Sequence, residues 1–138
     1  MQNRIARSFV LIMVVIAFTA LFLRFAIERI IKTNIIQNES GAVATLKLVS
    51  TALENYAKDK KGIFPGSISF LVETEPAYLE KDYTDDSPVK GYLYECPRLE
   101  PEGYSCSATP VKCNFTGKMV YTVTTGGVFI SEECAKKE

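Results

Sequence analysis

The stretch Phe9–Leu23, FVLIMVVIAFTALFL, holds 15 residues without a charge, and Thr19 is its only polar side chain. Ahead of it stands MQNRIARS, with Arg4, Arg7 and the terminal amine. Behind it the chain continues as Arg24-Phe25-Ala26-Ile27. The uncharged run is shorter than the ~20 residues a spanning helix needs. Arg24 can snorkel, laying its methylenes on apolar surface and holding its guanidinium in the interface. An apolar stretch from about Ile5 to Ile27 then reaches across a bilayer. Three readings compete: a secretory signal cut after the run, an uncleaved anchor, and a segment cut ahead of the run so that the run is kept. Leu21-Phe22-Leu23-Arg24 is a poor small-residue cleavage site for the first of these.

Past the run the pattern turns amphipathic. Ile31, Ile35, Ala42, Leu46, Val49, Leu53 and Tyr56 fall at steps of 4, 7, 4, 3, 4 and 3, one apolar stripe on a helix. Lys47, Thr51, Glu54, Asn55 and Lys58 take the opposite face. Lys60-Lys61-Gly62 supplies a stop, with two cations for the helix dipole and Gly62 as the left-handed cap, and Pro65 follows. A helix over about residues 5–60 is roughly 80 Å long. A chain of 138 residues cannot bury that length in one globule, so lipid or other subunits must cover the N-terminal half. The polar stretch Gln37–Gly41 interrupts the stripe. It either kinks the helix or forms one solvated turn of a continuous one, with Gly41 costing about 1 kcal/mol relative to Ala.

Lys plus Arg number 16 and Asp plus Glu number 16, so the formal net charge is zero. Bulk electrostatics therefore give no reason to expect a nucleic-acid partner. The sequence has no His, which excludes Ser-His-Asp and Cys-His catalysis and removes the commonest metal ligand. No Gly-rich phosphate loop stands in the chain, since Gly126-Gly127 is too short and lies between strand signals. The chain reads as non-enzymatic and without a cofactor. Cys96, Cys106, Cys113 and Cys134 are separated by 9, 6 and 20 residues, which offers no close ligand pair for zinc. An even count in a small exported domain points to disulfides.

The C-terminal part reads as strands. Gly91–Cys96 alternates and is aromatic-rich, Pro97–Glu102 reads as a loop, and Gly103–Thr109 alternates again. Lys118–Thr124 and Val128–Ile130 flank the tight turn Thr125-Gly126-Gly127. Sequential runs with short links give an antiparallel meander whose apolar face packs on Leu46, Val49, Leu53 and Tyr56. The fold class is therefore α+β: a long N-terminal helix packed on a small antiparallel β-meander. Residues 1–8 are a basic leader-like segment, residues 9–61 the helix, and residues 62–138 a globular head. Tyr92, Tyr94 and Cys96 share one strand face, as do Tyr104, Cys106 and Ala108 on the next. Of the three possible pairings, this favours Cys96–Cys106 with Cys113–Cys134.

Several segments resemble a known family. Arg7-Ser8-Phe9-Val10-Leu11-Ile12-Met13-Val14-Val15-Ile16-Ala17 is similar to the start of type IV pilins and type II secretion pseudopilins. Thr45–Pro65, TLKLVSTALENYAKDKKGIFP, resembles the end of their long helix, and Ser67–Leu79 their short second helix and the loop after it. GYLYEC, GYSCSATP and YTVTTGGVF resemble a pseudopilin-like head. The resemblance implies a pilin-like fold and a cut between Ser8 and Phe9, made by a prepilin peptidase and leaving an N-methylated Phe9. It implies an assembly helix through Phe9, Leu11, Ile12, Met13, Val15 and Ile16, and a filament built from copies of the chain or other pilin-like subunits. An assembly ATPase and platform are the implied machinery. The implied location is the bacterial inner membrane, single-pass with the head in the periplasm, then a periplasmic or extracellular filament. Two positions depart from the family: Ser8 stands where Gly is usual, and Met13 stands where a Glu pairs with a neighbour's terminal amine.

Asp82, Asp85 and Asp86 crowd the loop KDYTDDSP and form a weak Ca²⁺ candidate, without the ligand spacing of an EF-hand. A solvated turn is the plainer reading. The rival to a filament subunit is a singly anchored extracytoplasmic binding protein that never polymerises, and Met13 is the feature that favours it.

Overall fold

The computed structural model describes residues 2–135, with side chains from Ser8 onward. Helix α1 spans Gln2–Asp59 and α2 spans Ser69–Glu73. Strands β1 (Tyr92–Glu100), β2 (Gly103–Pro110), β3 (Met119–Thr124) and β4 (Val128–Glu133) form one sheet in the order β1-β2-β3-β4, every pairing antiparallel. The fold is α+β, a long N-terminal helix with a four-stranded meander. By its contacts the chain divides into two units, Met1–Thr33 and Asn34–Glu138.

In the second unit, Ala42, Leu46, Val49, Ala52, Leu53 and Ala57 of α1 are buried against the sheet residues Tyr92, Tyr94, Tyr104, Cys106, Ala108 and Val123. Phe64, Ile68, Leu71 and Leu79, from the segment around α2, complete this core. The helical period of the stripe and the two-residue period of the strands therefore meet in one apolar layer. Tyr56, expected on the stripe, is only half-buried and stacks edge-on with Tyr78, ring centroids 5.5 Å apart. Ala57 takes the buried position beside it.

The Gln37–Gly41 stretch stays helical, so α1 does not unwind there, and Asn38, Glu39 and Gly41 are half-buried. The C-terminal stop differs from expectation in its detail. The amide of Gly62 donates to the carbonyl of Ala57 at 2.7 Å, the long-range bond of a Schellman cap, and this places Lys61 at the left-handed position with φ 59°. Gly62, the residue after it, is also at positive φ, 88°, as expected of it.

Strand β1 does not end at Cys96. It continues to Glu100, and the link to β2 shrinks to Pro101-Glu102. Pro97 is tolerated because the register shifts between Glu95 and Arg98, a bulge on an edge strand that needs no amide there. β4 also runs longer than its apolar residues, to Glu133. Glu132 and Glu133 pair with Val120 and Met119 in the ladder while their side chains face solvent.

Candidate assembly and membrane segment

Among the described residues one helix is long and apolar enough to cross a membrane, and none of its most apolar 18-residue window is buried. Phe9, Leu11, Ile12, Met13, Val15 and Ile16 are all exposed, between 52% and 66%. The proposed processing pair, Ser8 and Phe9, lies within α1 and is exposed. Met1 and the side chains of residues 2–7, including the leader's Arg4 and Arg7, lie outside the described residues. The one polar side chain of the run is satisfied internally: Thr19 Oγ1 donates to the Val15 carbonyl at 2.7 Å. That bond lets a hydroxyl reside in lipid, where no water competes for it. Arg24 Nε lies 3.7 Å from Glu28 one turn on.

The head is tied to its part of α1 by polar contacts that the sequence reading did not identify. Asn38 Nδ2 donates to the Thr116 carbonyl at 2.9 Å, and Glu39 Oε1 accepts the Lys118 amide at 2.8 Å. The polar interruption of the stripe is thus the seat of the Lys112–Lys118 loop. Adjacent amide and carboxylate side chains at a gap in the apolar stripe were the available signal. Further along, Tyr104 Oη donates to Glu54 Oε1 at 3.0 Å. Its single proton is then committed, so the 2.8 Å bond with Ser50 Oγ is donated by Ser50. Glu54 Oε1 also accepts the Gly126 amide at 2.7 Å, holding the β3–β4 turn on the helix.

These surroundings shift the phenols of the core. Burial raises Tyr104 above the ordinary 10.0; the Ser50 bond opposes this and the Glu54 carboxylate adds to it. Burial likewise raises Tyr94, and burial with the Glu39 carboxylate raises Tyr92.

The structure joins Cys96 to Cys106 and Cys113 to Cys134. The first bridge crosses the β1 bulge, with Cα atoms 4.0 Å apart. The second closes a 21-residue separation and fastens the end of β4 to the Lys112–Lys118 loop. The acidic loop is a self-capped turn. Asp82 Oδ1 accepts from the Thr84 amide and hydroxyl and from the Asp85 amide, and Asp86 pairs with Lys81 at 3.2 Å. Among the described residues no three such side chains gather to hold a metal ion.

No family model matches the chain, and no curated protein matches it. Among solved structures it is similar to the non-core minor pilin PilV of Neisseria meningitidis. The identity is 15%, the TM-score is 0.44, and the match covers 78% of this chain and 94% of that one.

Proposed function

We propose that the chain is a structural subunit of a type IV pilus-like or type II secretion pseudopilus-like filament, stored in the inner membrane and assembled through its N-terminal helix. The observation that carries this reading is the contrast within α1. Residues 42–57 supply one wall of the head's core, whereas the apolar run from Phe9 has no buried residue and needs a cover. Lipid covers it in the stored subunit, and the same helices of other subunits cover it in the filament. A prepilin peptidase cuts between Ser8 and Phe9, an assembly ATPase and platform drive extraction, and the head sits in the periplasm. The weak Ca²⁺ candidate at Asp82, Asp85 and Asp86 plays no part in this reading.

The second reading is a singly anchored extracytoplasmic protein that does not polymerise. Met13 favours it, because the resembled family uses a Glu there as a pairing device between subunits. Val15→Asp separates the two roles from the bland alternative of a dispensable run. A charge near the bilayer centre costs about 2.5–3.5 kcal/mol on insertion scales. The variant is expected to lose membrane retention and filaments; a variant that pellets with membranes and still forms filaments contradicts both roles of the run. A wild-type chain that stays in membranes and never appears in sheared filament fractions favours the anchor.

A further inference from the structure

Cations follow the apolar run at once. Arg24, Arg29 and Lys32 lie within nine residues with a single carboxylate, Glu28, so this segment carries three positive charges and one negative, net +2. Arg24, Glu28 and Lys32 recur every four residues and line one side of α1, with Arg29 beside Glu28 in sequence. All four are exposed. The Arg24–Glu28 pair, at 3.7 Å with side chains 83% and 55% exposed, is too open to cancel the arginine's field. Among the described residues Arg29 and Lys32 have no carboxylate within ion-pair distance.

Cations at this position work against export of the head, because positive charge near a spanning segment favours the cytoplasmic side. On the head side of a spanning run these cations stand at the level of that leaflet's phosphates, which can pair with them. Arg24 to Lys32 covers about 12 Å of helix axis. That distance carries the side chains from the edge of the hydrocarbon through the headgroup layer, which is about 5–8 Å deep on each face. A guanidinium offers a planar fork that matches phosphate oxygens, and an ammonium offers a compact point charge.

We propose that Arg24, Arg29 and Lys32 form a cationic collar that binds the phosphates of anionic phospholipids in the leaflet on the head side. The collar rests on the reading of Phe9–Leu23 as a membrane segment, and it adds a partner and a depth marker to it. Bound phosphates hold the stored subunit at one height, and extraction into a filament must release them.

The test uses the full chain in vesicles of phosphatidylcholine alone and of phosphatidylcholine with phosphatidylglycerol. Flotation first reports insertion. Native mass spectrometry of the released protein then reports which lipid it keeps. Wild type is expected to retain phosphatidylglycerol over phosphatidylcholine, and R24Q/R29Q/K32Q to lose that preference by roughly fivefold per cation. R4Q/R7Q, with the same number of arginines removed from the other end of the run, is expected to keep it. High salt should weaken retention by wild type and leave the triple variant unchanged. The collar is wrong if wild type floats and shows no lipid preference, or if the triple variant keeps the wild-type preference. It is equally wrong if the triple variant loses only filament formation, since the cations then pair with protein. A wild-type chain that fails to float overturns the membrane reading itself.

Discussion

Asn38 on α1 donates a 2.9 Å hydrogen bond to the backbone oxygen of Thr116, 78 residues away. One residue on, Glu39 accepts the Lys118 amide. Together they clamp the loop whose Cys113 is bonded to Cys134, so the helix and the end of the sheet share one anchor. N38A/E39A is expected to destabilise the head by about 1–3 kcal/mol, since two bonds are lost, a part-buried one to the Thr116 carbonyl and an exposed one from the Lys118 amide to the Glu39 carboxylate. Hydrogen exchange should show faster opening at Lys118 while β1–β2 amides keep their protection. Unchanged exchange at Lys118 would mean that the clamp does not hold the loop.

Glycine at 117 is demanded by packing. A Cβ there would overlap the hydroxyl and ring of Tyr92, which is fully buried and donates to the Met119 carbonyl at 2.9 Å. Gly117→Ala is expected to lower stability by about 1–3 kcal/mol through overpacking. Adding Tyr92→Phe should recover part of that loss by removing the overlapping oxygen. Thermal melts of the two single variants and the double variant check this, and strict additivity would contradict the proposed overlap.

The apolar stripe and the strands were legible because each has a strong period and large side chains: Leu46, Val49 and Leu53 on the helix, Tyr92 and Tyr94 on β1. The deviations have local physical causes. Pro97 reads as a loop residue, yet an edge position with a bulge asks for no amide, so the strand passes through it. Gly62 reads as the left-handed cap and is at positive φ, yet the Ala57–Gly62 hydrogen bond puts Lys61, one residue earlier, in the left-handed region as well. Asn38 and Glu39 read as an interruption because their partners are backbone atoms 78 and 79 residues along the chain; the gap in the stripe marks the place but does not identify those partners. That Phe9 to Ile16 find no cover within the chain follows from the length of the helix against 138 residues, and what covers them lies outside a single chain.

The tyrosine core sets an alkaline limit. Tyr104, Tyr94 and Tyr92 all have raised pKa values, so the native state keeps protons that the unfolded chain releases above about 10. Their contribution to stability is whole below that pH and is lost as pH rises from there through the folded-state values. Denaturation midpoints are expected to be flat near neutral pH and to fall steeply above about 10. Tyr104→Phe should cost about 1–3 kcal/mol at neutral pH, because Ser50 loses its acceptor in the core, and should make the alkaline fall shallower. An equally steep fall in Tyr104→Phe would assign the transition to other groups.

The claim that the N-terminal helix is a processed assembly element is met most directly at the chain's own terminus. Intact-mass and N-terminal peptide spectrometry of the protein isolated from its native membrane reads that terminus without assuming any filament. The account predicts a mature chain that begins at Phe9 and carries an N-methyl group. A chain that still begins at Met1 would contradict it and leave the single anchor as the function of the helix.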